Sequence, residues 1–390
     1  PSHISLGLVG SEMCIRDSFR PTIDQFLKGN PAAILLVEFS GDEEQPLLEK
    51  LTHLHELVRN LNSSVEIIDA LEPGFQAEVW EVRKSGLNIL MAMRGDGKPV
   101  SFIEDCAVPL EHLADYTDRL NEEFDRHGVQ GTWYAHASVG TLHVRPVLNM
   151  KDPKHAIKMR EIAEVACATV KELKGAFSGE HGDGLVRSEF IEKFYGPRLT
   201  QAFKEIKEAF DPDHMLNPGK IVDPPKMDER SLFRFGPDYK PGSLVEALDW
   251  SEFGGFLRAS EMCNNNGHCR KSEVGVMCPS YRATREEVHL TRGRANTLRL
   301  ALSGQLGKDA LVSDMMKETM DLCVGCKGCR RECPTGVDMS RLKLEFLHHY
   351  NSRHGQSLRN KLISHLPRYA PTASKSVSYT HLTLPTNREV

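Results

Sequence analysis

Four closely spaced cysteines constrain this chain of 390 residues more than any other feature of its sequence. They follow the pattern C-x2-C-x2-C-x3-C-P and are Cys323, Cys326, Cys329 and Cys333. Thiolates at this spacing are typical ligands of iron–sulfur clusters, where three bind one cubane and the fourth binds a second. A zinc site would favour two C-x2-C pairs separated by a longer gap. The run therefore predicts a 4Fe–4S cluster.

A second and weaker cysteine run precedes the first. Cys263 and Cys269 are six residues apart, and Cys278 is followed by a proline, as Cys333 is. Asn266 stands where a middle cysteine would be expected. We expect these three thiolates, with Cys333 contributed by the other run, to bind a second cluster. Its full ligand set stays open.

The distribution of the cysteines indicates the compartment. Seven of the ten lie between residues 263 and 333, whereas a disulfide framework would spread its pairs along a short secreted chain. We therefore expect metal binding in the reducing cytoplasm. A spanning helix needs about twenty apolar residues and no such run exists, so any contact with the inner membrane would be peripheral. The net charge of -5 gives no reason to expect nucleic acid as a partner.

Apolar periodicity before the cysteines predicts α+β structure with a largely antiparallel sheet. The predicted strands are 32–39, 65–68, 100–105, 132–137 and 142–147. The predicted helices are 43–61, 75–93, 110–126, 156–173 and 198–210. Prolines and glycines between residues 222 and 245 interrupt this periodicity and indicate a domain boundary. Beyond it we expect an α-helical domain, with helices at 294–302 and 342–349.

The two ends look foreign to this organisation. One DNA encoding of residues 13–17 has a reverse complement that encodes residues 377–381. One short element read on both strands would explain both peptides, and it resembles a sequencing-library transposon adapter. We therefore expect artefactual ends and a chain that is part of a longer protein. The expected divisions are 1–18 artefact, 19–222 substrate domain, 223–245 linker, 246–350 cluster domain, 351–376 start of a further region and 377–390 artefact.

Two histidines in the predicted hairpin are candidate metal ligands. His136 and His143 flank Gly140. If the chain reverses through a four-residue loop, 138–141, the two histidines oppose each other directly, with Cβ atoms about 5 Å apart on one face. Two imidazoles so placed can share a metal ion. A pair of ordinary strand histidines would give the same pattern.

A glycine-rich loop adds an acid and a third histidine. Residues 178–184 read SGEHGDG and follow a predicted helix. Glycines of this kind let the backbone approach a ligand closely. Glu180 could complete a site of two histidines and one carboxylate, and His181 would stay free as a base. A surface loop with an acidic cap is the alternative. No G-x-G-x-x-G fingerprint is present.

Three segments resemble the C-terminal domain of FAD-linked oxidases, which include D-lactate dehydrogenases, glycolate oxidase flavin subunits and D-2-hydroxyglutarate dehydrogenases. The segments are His136-Ala-Ser-Val-Gly-Thr-Leu-His143, Ser178-Gly-Glu-His-Gly and Phe210-Asp-Pro-Asp-His-Met-Leu-Asn-Pro-Gly-Lys220. The cysteine region, with Tyr281-Arg-Ala-Thr and Thr291-Arg-Gly-Arg-Ala295, resembles the YdiJ-type D-2-hydroxy-acid dehydrogenases, which carry a fused ferredoxin domain. The resemblance covers roughly residues 30–350.

The resemblance implies roles for single residues. The implied ligands of a divalent metal such as zinc or manganese are His136, His143 and Glu180. The metal would orient the carboxylate and hydroxyl of the substrate. His181 would take the hydroxyl proton as a general base. Arg83 would hold the substrate carboxylate through a bidentate fork, and Asn217 would lie near the flavin.

The implied activity is FAD- and iron–sulfur-dependent oxidation of a D-2-hydroxy acid of the D-lactate, glycolate or D-2-hydroxyglutarate class to the 2-oxo acid. Clusters would pass the electrons to an acceptor that the sequence does not identify, and an FAD-binding domain would precede residue 19. Arg145 stands where the 2-hydroxyglutarate enzymes have asparagine, and Leu87 and Ile103 stand near positions where they have threonine and lysine. Two alternatives are a non-catalytic iron–sulfur electron-transfer subunit and a zinc-binding interaction module.

Overall fold

An antiparallel sheet forms the centre of the first part of the chain. The computed structural model describes residues 4–6, 19–29, 31–61 and 65–376. The strands are β1 Ile4–Leu6, β2 Leu35–Val37, β3 Lys98–Pro99, β4 Cys106–Ala107, β5 Gly131–His136 and β6 Thr141–Leu148. Strand β6 pairs with β3, β4 and β5, and β1 pairs with β2 in a separate small sheet. β6 is therefore the strand on which the first domain is organised.

Helices cover this sheet and complete its core. They are α1 Arg20–Phe26, α2 Glu44–Asn60, α3 Pro73–Met91, α4 Leu113–His127, α5 Pro153–Glu172, α6 Gly184–Arg187, α7 Ile191–Tyr195 and α8 Pro197–Phe210. Helix α5 begins where it does because Asp152 accepts the N–H of Lys154 at 2.9 Å and proline occupies the first turn. Its buried face, with Ile162 and Ala166, packs with Tyr116 of α4.

Two predicted strands are wrong. Residues 65–68 and 100–105 lie outside the strands of the described chain. Pro99 pairs with Val147 and Cys106 pairs with Leu142. The segment 100–105 between these pairs therefore contains more residues than the segment of β6 that faces it. The segment consequently bulges away from the sheet. The predicted strand at 32–39 is observed only in its central part, as β2. The predicted helices of this part of the chain and the two hairpin strands are confirmed to within a few residues.

The second part of the chain is helical, as we expected. Its helices are α9 Phe256–Glu261, α10 Pro279–Thr284, α11 Thr291–Leu302, α12 Asp314–Asp321, α13 Gly328–Glu332, α14 Met339–His354, α15 Leu358–Ser364 and α16 Leu366–Ser376. Glu345 of α14 is fully buried and accepts the backbone N–H groups of Ala247 and Leu248 at 2.7 and 2.8 Å. It also accepts the indole N–H of Trp250 at 3.0 Å. These bonds fix the segment that leads into α9. No described helix has both the length and the apolar character needed to cross a membrane.

A network of charges joins the two parts. Lys151, just after β6, lies 2.8 Å from Asp96 and 2.6 Å from Glu261 of α9. Arg258 of α9 contacts Asp96 at 2.6 Å, and Tyr239 donates to Glu261. Residues of the expected linker thus take part in the contact between the domains. The domain boundaries themselves stay a prediction.

Candidate active site and cluster domain

The two histidines lie on one face of the β5–β6 hairpin, but the register differs from the one we expected. His136 pairs with Thr141, and Tyr134 pairs with His143, so the histidines are diagonal rather than directly opposed. The chain reverses earlier because Ala137–Val139 forms a 3-10 turn that ends in a left-handed glycine. A shift of two residues keeps the same face. The two imidazole centroids remain 5.1 Å apart.

Asp105 anchors the glycine-rich loop beside this face. Its carboxylate accepts the N–H of Glu180 at 2.9 Å and of His181 at 2.7 Å. A Cβ at Gly179 would lie 2.7 Å from the backbone oxygen of Asp105, so only glycine allows this approach. Burial alone would raise the pKa of Asp105, but the hydrogen bond from Arg187 and those from the loop backbone hold that pKa below its ordinary value. The carboxylate therefore stays charged although it is fully buried.

Three potential metal ligands converge between the hairpin and the loop. Oε1 of Glu180 lies 3.2 Å from Nε2 of His143 and 3.8 Å from Nε2 of His136. One ligand atom from each residue lies within 4.8 Å of the others. Burial lowers the pKa of His143 to about 4, with a further contribution from neighbouring positive charge, so this imidazole is neutral and able to bind a cation at pH 7. The three residues fit a small divalent metal ion.

Glu104 connects the third histidine to Arg145. Nδ1 of His181 lies 2.7 Å from Oε1 of Glu104, and Nε2 lies 3.3 Å from Oε1 of Glu180. The other oxygen of Glu104 accepts from Arg145, whose Nε also donates to Ser101 at 3.0 Å. If Nδ1 donates to Glu104, the unprotonated nitrogen of the ring is Nε2. Bulging of residues 100–105 is what brings Glu104 to this position.

Arg83 borders the metal ligands through Tyr134. Its guanidinium carbon lies 4.9 Å from the ring centroids of Trp80 and of Tyr134. The Tyr134 ring lies 5.8 Å from the His136 ring and 5.4 Å from the His143 ring, centroid to centroid. Our sequence prediction omitted Tyr134. Its alternation with His136 along β5 is the signal that could have identified it.

Other residues named from the sequence lie elsewhere or have other partners. The side chain of Asn217 is exposed and accepts from Lys220 at 3.2 Å, and in the described part of the chain no hydrogen bond joins it to the histidines. Ile103 is fully buried in the core. Arg145 is also buried and pairs with Glu104. The side chain of Leu87 lies outside the described residues.

A cavity in the helical domain is the candidate site for the first cluster. The cysteines that line it are Cys278, Cys323, Cys326 and Cys329. Cys329 is buried and its sulfur accepts the N–H of Met339 at 3.3 Å, whereas Cys326 is exposed. Backbone N–H groups directed at sulfur are common in iron–sulfur sites. The run predicted as the first cluster site thus surrounds a preformed cavity.

The structure places Cys278 differently from our expectation. We grouped it with Cys263 and Cys269, but it lies on the wall of the first cavity. Helix α10 starts directly after it, and Ser280 of that helix donates to the carbonyl of His289 at 2.8 Å. This contact holds the start of α10, and with it Cys278, beside the turn that precedes α11. Each Cys-Pro cysteine thus lies with cysteines of the other run, a reciprocal arrangement of which we predicted only the half made by Cys333.

Cys333 lies with Cys263 and Cys269 instead. Burial raises the pKa of Cys269 to about 11, and the neighbouring thiols of Cys263 and Cys333 add to this shift. All three are buried. Asn266 is exposed and donates to Asn264 at 2.6 Å, so its side chain is engaged within the loop. These three thiols are candidate ligands of the second cluster.

The spacing of the sulfurs bears on the choice of metal. A tetrahedral zinc site with Zn–S bonds of about 2.3 Å places its sulfurs about 3.8 Å apart. In the described ranges, no three cysteine sulfurs lie within 4.8 Å of one another. The thiols that surround the first cavity are therefore more widely separated than a single zinc ion requires.

Comparison with known proteins identifies both domains. The sequence profile of the family "FAD linked oxidases, C-terminal domain" matches residues 15–221, and that of the "4Fe-4S dicluster domain" matches residues 259–337. D-2-hydroxyglutarate dehydrogenase of Pseudomonas putida is 33% identical over 90% of this chain, and that of Escherichia coli is 30% identical over 87%. D-lactate dehydrogenase [cytochrome], mitochondrial, of Arabidopsis thaliana is 28% identical over 50%.

The chain covers 37% of the length of each of the two bacterial relatives and 33% of the plant protein. The oxidase profile nevertheless matches more than half of the chain, and the matched region contains the hairpin, the glycine-rich loop and Asp105. The chain therefore belongs to the family of FAD linked oxidases, through their C-terminal domain, and a 4Fe–4S dicluster domain follows that domain.

Proposed function

We propose that this chain forms the substrate site and the electron-transfer domain of an FAD- and iron–sulfur-dependent dehydrogenase that converts a D-2-hydroxy acid to the 2-oxo acid. The convergence of His136, His143 and Glu180 beside a histidine held by Glu104 carries the proposal. The names of the relatives, D-2-hydroxyglutarate and D-lactate dehydrogenases, support it. The enzyme would act in the cytoplasm.

The three metal ligands define where the substrate binds. A divalent metal held by them would polarise the hydroxyl and carboxylate oxygens of the hydroxy acid and lower the pKa of its hydroxyl. Glu180 is half-exposed, whereas His143 is buried, so substrate reaches the site from the Glu180 side. Arg83, fixed by stacking against Trp80 and Tyr134, would contribute a cation for a substrate carboxylate.

His181 is the proposed general base. With Nδ1 bonded to Glu104, its Nε2 is directed toward Glu180 Oε1 and can accept the proton of the substrate hydroxyl. Arg145 holds Glu104 from the other side. We therefore assign Arg145 to the support of the base, which explains why arginine is found where the resemblance expects asparagine.

FAD would accept the hydride from the substrate carbon, and its binding domain belongs to the longer protein, called the full-length enzyme below. An exposed apolar surface flanks Asn217. Phe210 is 85%, Met215 78% and Leu216 65% exposed. Exposed apolar side chains that cluster together can mark an interaction surface. We propose that the flavin-binding domain covers them and that Asn217 then lies near the flavin.

Clusters held by the two sets of cysteines would pass electrons singly to an acceptor, since iron–sulfur clusters change charge by one electron at a time. A non-catalytic electron-transfer subunit is the second candidate, and the cysteines alone would fit it. The intact metal ligands and base argue for catalysis. A zinc-binding module is disfavoured by the wide separation of the sulfurs and by the match to the dicluster domain.

Turnover by the full-length enzyme tests the proposal. Purified enzyme would be assayed anaerobically with D-lactate, glycolate, D-2-hydroxyglutarate and L-lactate, with an artificial dye as the acceptor. We expect the dye to be reduced by at least one of the first three acids, with 2-oxo acid formed in equal amount. Treatment with a chelator should abolish the rate and a divalent ion should restore it. A fully loaded enzyme that oxidises none of these acids would leave the electron-transfer subunit as the better assignment.

A further inference from the structure

A guanidinium group is buried beside the cavity of the first cluster. Arg294 of α11 has a relative exposure of 0%. Its Nε donates to the carbonyl of Thr319 at 2.8 Å, and its terminal nitrogens donate to the carbonyl of His289 at 2.8 Å and to Ser280 Oγ at 3.0 Å. Every one of these acceptors is neutral. Arg294 belongs to the segment Thr291-Arg-Gly-Arg-Ala295, for which the proposed function has no role.

Two buried arginines of the first domain are paired differently. Arg187 contacts the carboxylate of Asp105, and Arg145 contacts that of Glu104. Among the described residues, Arg294 takes part in no ion pair with a carboxylate. A buried charge without a counter-charge costs several kcal/mol. The fold therefore contains a positive charge that hydrogen bonds satisfy geometrically but that no protein anion neutralises.

The sulfur of a proposed cluster ligand lies close to this charge. A terminal nitrogen of Arg294 lies 3.7 Å from Sγ of Cys278, and both residues line the cavity with Cys323, Cys326 and Cys329. A 4Fe–4S cluster held by four thiolates carries net negative charge, which grows by one when the cluster is reduced. A fixed cation in a buried, low-dielectric position stabilises the more negative state most strongly.

We propose that Arg294 is the buried counter-charge of the cluster held by Cys278, Cys323, Cys326 and Cys329, and that it raises the reduction potential of this cluster. Reduction adds one electron to the cluster and changes no bond at Arg294, which keeps its proton in both states. The inference goes beyond the proposed function, because it depends on the cluster domain alone and not on the identity of the hydroxy acid.

The second group of thiols supplies an internal comparison. The cysteine that Arg294 contacts, Cys278, belongs to the first group, so the potential of the cluster bound by Cys263, Cys269 and Cys333 should respond less to the removal of Arg294. A higher potential at the first cluster, one of whose ligands, Cys326, is exposed at the surface, would draw electrons toward the surface of the domain. Arg294 would thus help to set the direction of electron flow.

The test is a redox titration of the 390-residue chain after reconstitution with iron and sulfide. Dithionite is the reductant, and electron paramagnetic resonance follows the reduction of each cluster. Arg294→Met removes the charge and keeps an unbranched, flexible side chain that can fill part of the same space. We expect the midpoint potential of the first cluster to become more negative and that of the second to shift less. Arg294→Lys should restore most of the potential, although it loses the forked hydrogen bonds.

Arg292→Gln is the matched control on the same helix. Arg292 is paired with Glu287 at 2.6 Å near the surface, so its loss should shift the first cluster much less than Arg294→Met does. Equal shifts in the two variants, or an unchanged potential in Arg294→Met, would overturn the proposal. So would a lysine variant with the same low potential as the methionine variant.

A stability measurement separates the counter-charge role from a merely structural role of Arg294. A counter-charge role predicts that Arg294→Met lowers the melting temperature of the cluster-loaded chain more than that of the cluster-free chain, because only the loaded chain contains the anion that Arg294 neutralises. A merely structural role predicts equal losses in both. Equal losses, or a larger loss in the cluster-free chain, would contradict the proposal.

Discussion

At the scale of single residues, the candidate site depends on groups that hold the proposed metal ligands and the proposed base in place. His136, His143, Glu180 and His181 carry recognisable local patterns. Asp105, which fixes the loop backbone from a distance of 75 residues along the chain, has none. Its role depends on the bulge of residues 100–105, which the apolar pattern presented as a strand. Tertiary contacts of this kind cannot be read from local spacing.

The hydrogen bond between Glu104 and His181 gives a prediction about catalysis. In the full-length enzyme, His181→Ala should lower kcat by about a hundredfold or more, as expected for the loss of a general base. Glu104→Gln should lower kcat less and leave KM and metal content nearly unchanged, because it affects only the orientation of the ring. Exposed Glu111 provides the control, and Glu111→Gln should behave as wild type. A Glu104→Gln enzyme with full kcat would remove Glu104 from the mechanism.

The pair formed by Arg187 and Asp105 gives a prediction about stability. Arg187→Met leaves a fully buried carboxylate without its cation, which should cost about 3–5 kcal/mol in the free energy of unfolding. Because the folded-state pKa of Asp105 is lowered, its stabilising contribution is complete above the pKa of the unfolded state. That contribution is lost as the pH falls through the folded-state pKa.

Urea unfolding of the chain at several pH values would test this. The difference between wild type and Arg187→Met should shrink as the solution becomes acidic. Arg198→Met, at an exposed position of α8, is the control and should change stability little. A difference that does not depend on pH would show that the ion pair is not its source.

At the scale of elements, the hairpin and the cysteine runs show what sequence patterns convey. The two strands of the hairpin were predicted nearly to their ends, yet the register was wrong by two residues, because the turn type depends on a 3-10 conformation that the sequence only weakly specifies. The face was correct because a shift of two residues preserves it. Likewise, the spacing of the cysteines predicted a cluster, but the packing of α10 against α11 was needed to place Cys278.

The cluster loops give a prediction at this scale. Cys326→Ser should remove a thiolate from the first cavity and abolish most of the cluster's visible absorbance in the reconstituted chain. Cys167→Ser is the control, since Cys167 is buried in the core of the other domain, far along the chain from the cavity. Iron and acid-labile sulfide should be measured in both. Full iron and sulfide content in Cys326→Ser would contradict the assignment of this run.

At the scale of the whole molecule, the contact between the domains was not predictable, because it combines charges from distant segments. Lys151 lies between Asp96 and Glu261, and Glu261 is 6% exposed. The α+β domain with its antiparallel sheet and the helical domain could each be inferred from composition and periodicity. The way they are joined could not, since a single Lys or Asp in a sequence usually indicates only a solvated surface.

The junction gives a prediction about cooperativity. Lys151→Met leaves Glu261 without its cation and should lower the stability of the chain by about 2 kcal/mol. It should also separate the unfolding of the two domains, visible as two steps in urea. Lys154→Met, three residues away and exposed, should unfold as wild type does. Unchanged single-step unfolding of Lys151→Met would show that the network does not couple the domains.

We propose that His136, His143 and Glu180 bind a metal that the oxidation of a D-2-hydroxy acid requires. The most direct measurement mixes the full-length enzyme anaerobically with the acid it oxidises and follows reduction of flavin and clusters, with bound metal determined on the same samples. We expect rapid reduction in wild type and, in His136→Ala, lost metal, retained flavin and almost no reduction. Reduction at the wild-type rate by metal-free His136→Ala enzyme would contradict it.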